Sequence, residues 1–425
     1  MKTESSFFLP QRWGQLLAAA LALLSLSACQ SASTTSQVGP SQTGPYSGYT
    51  AGSVNRVYHY DSDVYLHVAV PVFNPGLPTN RQGNLDYAEV EKRDIWPQVR
   101  RLEANRFAVD TQRALQHTNA FSAVTVTPDS SASADLYVIG AIKHSDTETI
   151  ALNIKVVDAT NRVWGERDFQ HRVSEGFYRD AYNRGKNSYD PIFKDIASYV
   201  FDLLNGYSDA EKLAIQQVAE LRYAAMYSPE TMDNYLERRQ TRTGPRYQLI
   251  GFPAEEDPML QRVRMIKAED DAFIDGLQQN YAAFYADSDS SYLDYQRETL
   301  PMAVAVRRER DQRANRNVAA AFATVGAILL ARNSNSVGGE IGSIVLAGTA
   351  LYNLGGAIEN NNNIRFQRQQ ISEMGQSLDI RVTPQVLEFN DQQIELTGTA
   401  REQYIQLRAQ LRSIYDIEAT PDIQL

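Results

Sequence analysis

The stretch DVYLHVAVPVF, residues 63–73, constrains the fold of this chain more than any other. Val64, Leu66, Val68, Val70 and Val72 fall on one side of an extended backbone, and Tyr65, Ala69 and Phe73 on the other side are also largely apolar. Successive side chains of a strand point to opposite faces, so a segment apolar on both needs cover above and below: it reads as an inner strand of a layered sheet. The chain supplies neighbours for it. AVTVTP is a short strand, ADLYVIGAI is apolar on both faces, and TIALNIKVVD alternates, with Ile150, Leu152, Ile154 and Val156 inward and Asn153 and Lys155 outward. The turn residues DATNR lead into a return strand, VWGERDFQHRV.

Helical spacing brackets these strands. Ala104, Phe107, Ala108, Thr111, Ala114, Leu115 and Thr118 recur on one helix face, as do Ile192, Phe193, Ile196, Val200 and Leu203 within residues 191–204. The order strand, helix, three strands, helix predicts an α/β layer in which helices cover a mixed sheet. Ala134, Asp135, Gly140, Val157, Asp158, Ala159, Thr160 and Trp164 carry a resemblance across residues 60–205: a sheet strand, a valine–aspartate turn and a tryptophan-bearing return strand, similar to the curli secretion channel family and the N-terminal domain of the Tol-Pal propeller protein. The resemblance implies a related fold and export or assembly partners. Asn161 departs from the glycine that relatives usually carry, and no pair of hairpins is long enough for a transmembrane barrel, so channel activity is not carried over.

From Tyr207 the signals turn helical. Ser208 with Glu211 forms a capping box, Ser228-Pro229 starts another helix, and Met259, Val263, Ile266, Phe273, Leu277 and Tyr281 lie near helical spacing. QVLEFNDQQIELTG alternates across an Asn-Asp turn, and Thr399 with Glu402 caps a final helix bearing Tyr404, Leu407, Leu411 and Ile414. The expected fold is therefore α+β and multidomain: an α/β domain over 55–206, a helical domain over 207–300, a long helix with a glycine/alanine-rich helical hairpin over 301–376, and a small strand-hairpin and helix module over 377–425.

The one cysteine, Cys29, sits in LSLSACQS. Lys2 and Arg12 give a positive start, the apolar run from Leu16 to Leu26 is shorter than the roughly 20 residues of a bilayer-spanning helix, and Ser27 and Ala28 are small: a cleaved signal over residues 1–28. Leu26-Ser27-Ala28-Cys29 resembles the bacterial lipobox, which implies lipidation of Cys29, and Gln30 after it implies sorting to the outer membrane. More than one acyl chain is needed for stable anchoring, and a triacylated terminus meets that need. Residues 29–54, rich in Ser, Thr, Gly and Pro, read as a tether. Cleavage removes Lys2, Arg12 and Glu4, so the net charge of −10 becomes −11. That balance argues against nucleic acid as a partner.

Between Val318 and Ile358, VAAAFATVGAILLA and IGSIVLAGTALYNLGGAI are joined by a polar turn. Ala319, Ala323, Ala327 and Ala331 form a small-residue ridge, and Gly338, Gly342 and Gly355 allow close helix approach. Two readings stay open. Either this hairpin meets a membrane or copies of itself, with the flanking arginines at anionic headgroups, or it is a tightly packed intramolecular pair.

Candidate chemistry is sparse. GxSxG, HExxH, GxGxxG and GxxxxGK[ST] motifs are absent, and the five histidines lack ligand-like spacing. Glu255-Glu256-Asp257 and Glu269-Asp270-Asp271, with Asp275 one turn on, are the acidic clusters that acid–base work or calcium would need, and they read more simply as solvated helix faces. Trp96 and Trp164 read as packing residues. The expectation is a lipid-anchored scaffold, mainly periplasmic, without catalytic residues, metal or cofactor. Its expected partners are the membrane, through the anchor, and other envelope proteins, with assembly into a homo-oligomer. The alternatives are a pore or secretion-channel component and a periplasmic hydrolase.

Overall fold

The computed structural model describes residues 56–242, 244–315, 369–389 and 392–419. The signal, the tether, Cys29 and the hairpin residues Ala319, Ala323, Ala327, Ala331, Gly338, Gly342 and Gly355 lie outside the described residues.

The valine-rich segment forms β1 (Leu66–Pro71), in the inner position of a five-stranded sheet. The helices α1 (Tyr87–Lys92) and α2 (Pro97–Gln116) follow it, then β2 (Phe121–Thr127), β3 (Leu136–Ser145), β4 (Thr149–Asp158) and β5 (Val163–Arg172). The strand order is β2-β1-β3-β4-β5. β1 runs parallel to both neighbours, and β3, β4 and β5 alternate antiparallel, so the sheet is mixed. Register aligns Val68 with Val124 and Leu136, and Ile142 with Leu152, building one apolar face. Helix α2 and α3 (Asp190–Leu204) cover that face with Phe107, Ala108, Ile192, Phe193, Ile196 and Val200, all fully or almost fully buried. Each large apolar side chain so buried contributes roughly 1.5–3 kcal/mol. Leu203, expected inward, is half-buried, and Leu204 takes the core position instead.

Two backbone positions are dictated by geometry. A Cβ on Gly140 would lie 2.3 Å from the Phe73 ring, so only glycine admits that ring against β3. Asn161 adopts a left-handed φ of 63° in the β4–β5 turn, a conformation that asparagine tolerates better than most residues. Asp158 organises the turn: its Oδ1 accepts from the Thr160 and Arg162 amides at 2.8 and 3.0 Å, and its Oδ2 accepts from the Trp164 indole at 2.8 Å.

Beyond the sheet come α4 (Asp209–Tyr227), with the expected Ser208–Glu211 capping box, and α5 (Pro229–Met232). A hairpin of β6 (Leu236–Thr241) and β7 (Gly244–Leu249) then interrupts the stretch read as wholly helical. Its strands are mostly polar, LERRQT and GPRYQL, so they show no apolar alternation to read. α6 (Pro258–Asn315) spans 58 residues, about 87 Å at 1.5 Å per residue. Asp257 starts it, its Oδ1 accepting from the Met259 and Leu260 amides at 2.9 and 3.0 Å, which assigns this member of the Glu255-Glu256-Asp257 cluster to capping.

Polar contacts fix α6 to the sheet layer. Arg106 of α2, 1% exposed, donates to the Tyr285 carbonyl at 3.0 Å, to Ser288 Oγ at 2.7 Å and to Asp289 at 2.6 Å, with its guanidinium over the Tyr285 and Tyr292 rings. Buried Glu103 accepts from Tyr292 and Ser145 at 2.9 and 2.7 Å. Gln278 pairs with the main chain of Val126 in β2. Arg307 reaches buried Glu148 at 2.8 Å.

A helical segment over 369–374 packs Ile371 against Val99, Leu102 and Tyr292. The chain ends in the expected hairpin, β8 (Gln385–Phe389) and β9 (Gln392–Leu396), and in α7 (Ala400–Ala419), capped reciprocally by Thr399 and Glu402. Tyr404, Leu407, Leu411 and Ile414 are buried as expected. One continuous apolar cluster runs from Val68 in β1 to Tyr415 in α7. The fold is α+β, and the described residues fall within one compact unit, Tyr46–Leu425.

Candidate functional site

The side of the sheet away from α2 and α3 carries His67 on β1. His67 pairs in register with Ala123, and its Nε2 is 3.0 Å from Thr125 Oγ1 on β2. Helix α6 crosses this side and brings Asp270, Asp271 and Asp275 to the same small cleft of about 150 Å3, which His67, Thr125 and Thr127 also line. The sequence placed the carboxylates on one helix face and the histidine on the sheet; the fold brings them together. His171, on β5, points to the opposite face of the same sheet and is remote from this cleft by register.

The electrostatics are set by burial. Asp270 is 2% exposed; burial pushes its carboxyl up to about 6, with the Arg408 guanidinium opposing. Its Oδ2 accepts from Tyr404 at 3.3 Å, and Oδ1 has no hydrogen-bond partner among the described residues. Asp271 is held by Lys267 at 2.5 Å, Asp275 is exposed, and Glu269 is exposed and outside the cleft lining. Burial, reinforced by the Lys267 charge, lowers the His67 pKa and keeps its ring neutral. Asp135 is likewise pushed up to about 6 by burial.

Thr125, His67 and Asp135 are the residue types of a nucleophile, a base and its orienting acid, but the geometry assigns them other roles. Asp135 Oδ2 accepts from the main-chain N–H of His67 at 2.8 Å, which fixes the backbone where β1 begins and leaves the imidazole without an orienting carboxylate from that residue. Thr125 was not singled out from the sequence, and Asp135 was named only within the family resemblance; the register of β1 against β2 and β3 is the missing signal. Among the described residues no group of His, Cys, Asp or Glu side chains is arranged to hold a metal ion.

The two edges of the sheet differ. At the β2 edge, Gln278 Oε1 accepts from the Val126 N–H at 2.9 Å while its Nε2 donates to the Val126 carbonyl at 2.9 Å, and Gln112 donates to the Val124 carbonyl at 2.9 Å. These side-chain amides stand in for a neighbouring strand. At the other edge, among the described residues, β5 pairs only with β4, and Glu166, Arg167, Asp168 and Gln170 are exposed. Trp164, at the start of β5, stacks on Tyr207 at 4.1 Å, and Trp96 meets Tyr295 edge-on at 5.6 Å; both are half-buried packing residues.

Among the described residues no helix is long and apolar enough to cross a membrane. No family model matches the chain, and no curated protein or solved structure matches it either.

Proposed function

We propose that this chain is a lipid-anchored scaffold of the bacterial envelope, tied to the outer membrane through Cys29 and binding envelope or secretion proteins without covalent chemistry. The observation that supports this reading is the asymmetry of the sheet: one edge is closed by glutamine side chains, and the other presents a strand with no neighbour beyond β4 among the described residues. A free edge recruits an extended partner segment by main-chain hydrogen bonds, with alternate side chains supplying specificity. Antiparallel self-pairing of β5 centred on Arg167 would oppose Arg167 to Arg167 and Glu166 to Asp168, which is repulsive, so this edge favours a different protein as its guest. Self-association is assigned to residues 318–358 instead.

The test is a photoreactive side chain placed at Glu166 in the full chain in cells, with Asp287 on α6 as the control position. A discrete adduct with another envelope protein, seen from Glu166 and not from Asp287, is the expected result. Cys29→Ser should release the protein from the membrane fraction. Crosslinking equal at both positions, or membrane retention of the Cys29→Ser form, contradicts the reading.

A further inference from the structure

A second, larger cleft of about 410 Å3 opens where the β2–β3 loop, α4, the β6–β7 hairpin and α7 meet. Its charged lining consists of Arg222 and Arg408, with no carboxylate, in a chain of net charge −10. We infer that this cleft binds an organic anion: a carboxylate or phosphate head carried on an apolar or aromatic body.

Both guanidinium groups are half-buried and pre-oriented. Arg222 donates through Nη1 to the Ala159 carbonyl and to Asn161 Oδ1, and its plane lies 4.4 Å from the centre of the Tyr247 ring. Arg408 donates to the Ser131 carbonyl at 3.2 Å and contacts Met226 Sδ at 3.0 Å. Each arginine carries five N–H donors, of which these contacts use two, so the forks are fixed in place with donors to spare for an oxyanion. The two charges converge: both lower the pKa of the Tyr137 hydroxyl against the larger effect of burial. The hydroxyls of Ser130, Ser131 and Ser133 line the same rim and make no side-chain hydrogen bond to another described residue. The rest of the wall, Tyr223, Tyr247, Leu236 and Met226 among it, is aromatic or aliphatic. A few convergent polar groups beside aromatic and aliphatic side chains, at a volume suited to a small organic molecule, is a make-up that ligand sites share. It adjoins the acidic cleft at His67, sharing Ser133 with it, and none of the exposed β5 edge residues lines it.

The test titrates the full chain by calorimetry with phenyl phosphate, phenylacetate and benzylamine, three probes of similar size. Saturable 1:1 binding of one or both anions, and none of benzylamine, supports the inference. Binding of phenyl phosphate alone assigns a phosphate-bearing ligand, and binding of phenylacetate alone assigns a carboxylate. Arg222→Gln and Arg408→Gln should each weaken binding about tenfold or more. Because Arg222 also holds the β4–β5 turn, Ser133→Phe serves as a second variant, filling the cleft while leaving both arginines in place; it should abolish binding with the melting temperature retained. No saturable anion binding, equal affinity for benzylamine, or undiminished binding in the folded variants overturns it.

Discussion

Gln278 of α6 and Val126 of β2 form a two-way pair, with the side-chain amide accepting from the valine N–H and donating to its carbonyl, each at 2.9 Å. The long helix therefore completes the hydrogen bonding of the sheet as well as packing on it.

Gln278→Leu keeps the bulk and removes both bonds. Leaving a buried N–H and carbonyl unsatisfied costs about 1–3 kcal/mol. Urea denaturation should show a loss of that size with an unchanged slope; a loss under about 0.5 kcal/mol would mean that the pairing does not hold α6.

Arg106→Met tests the second attachment of α6. The variant loses three hydrogen bonds and both ring contacts, while Asp289, 43% exposed, can take up water. We expect destabilisation of about 3 kcal/mol, at the lower end for breaking a buried charge pair. Hydrogen exchange should speed up around Tyr285 and Tyr292 first. Uniform loosening of the whole chain would argue against a local clamp.

Gly140→Ala places a methyl group 2.3 Å from the Phe73 ring, which is fully buried. Overpacking of this kind costs about 1–3 kcal/mol. Adding Phe73→Leu should recover part of the loss, and a double variant no better than Gly140→Ala would refute the steric explanation.

Asp270→Asn should make stability less sensitive to pH. The folded carboxyl titrates near 6, above the 3.8 of the free group, so between these values the folded state holds more protons than the unfolded chain. Stability from this residue is therefore fully present below about pH 4 and falls as pH rises through 6. The variant should exceed the wild type by about 1–3 kcal/mol at pH 7 and match it near pH 4. A difference that stays constant with pH would count against a buried, uncompensated carboxylate.

The sheet was legible because its signals are local. β1 announces itself by valines on both faces, β4 by strict alternation, and α7 by Thr399, Glu402 and a stripe of buried side chains. The β6–β7 hairpin was not legible, since LERRQT and GPRYQL carry no apolar face. Nor was the joining of parts: Arg106 with Asp289, Gln278 with Val126 and His67 with Asp271 are each brought together across more than a hundred residues by the passage of α6 over the sheet, and no spacing along the chain encodes that. Thr125, and the contact of Asp135 with the His67 main chain, were missed for the same reason, while Asp270, read as one of a solvated group, is its buried member.

A sheet with a stopper on one rim and a vacancy on the other can grow in one direction only. On the proposed reading each molecule would accept a single guest strand at β5, and with β2 closed by Gln278 strand addition would end after one step and not propagate into a fibre. Were the chain anchored as proposed, crowding many copies on one leaflet would raise the local supply of docking strips without the hazard of runaway polymerisation.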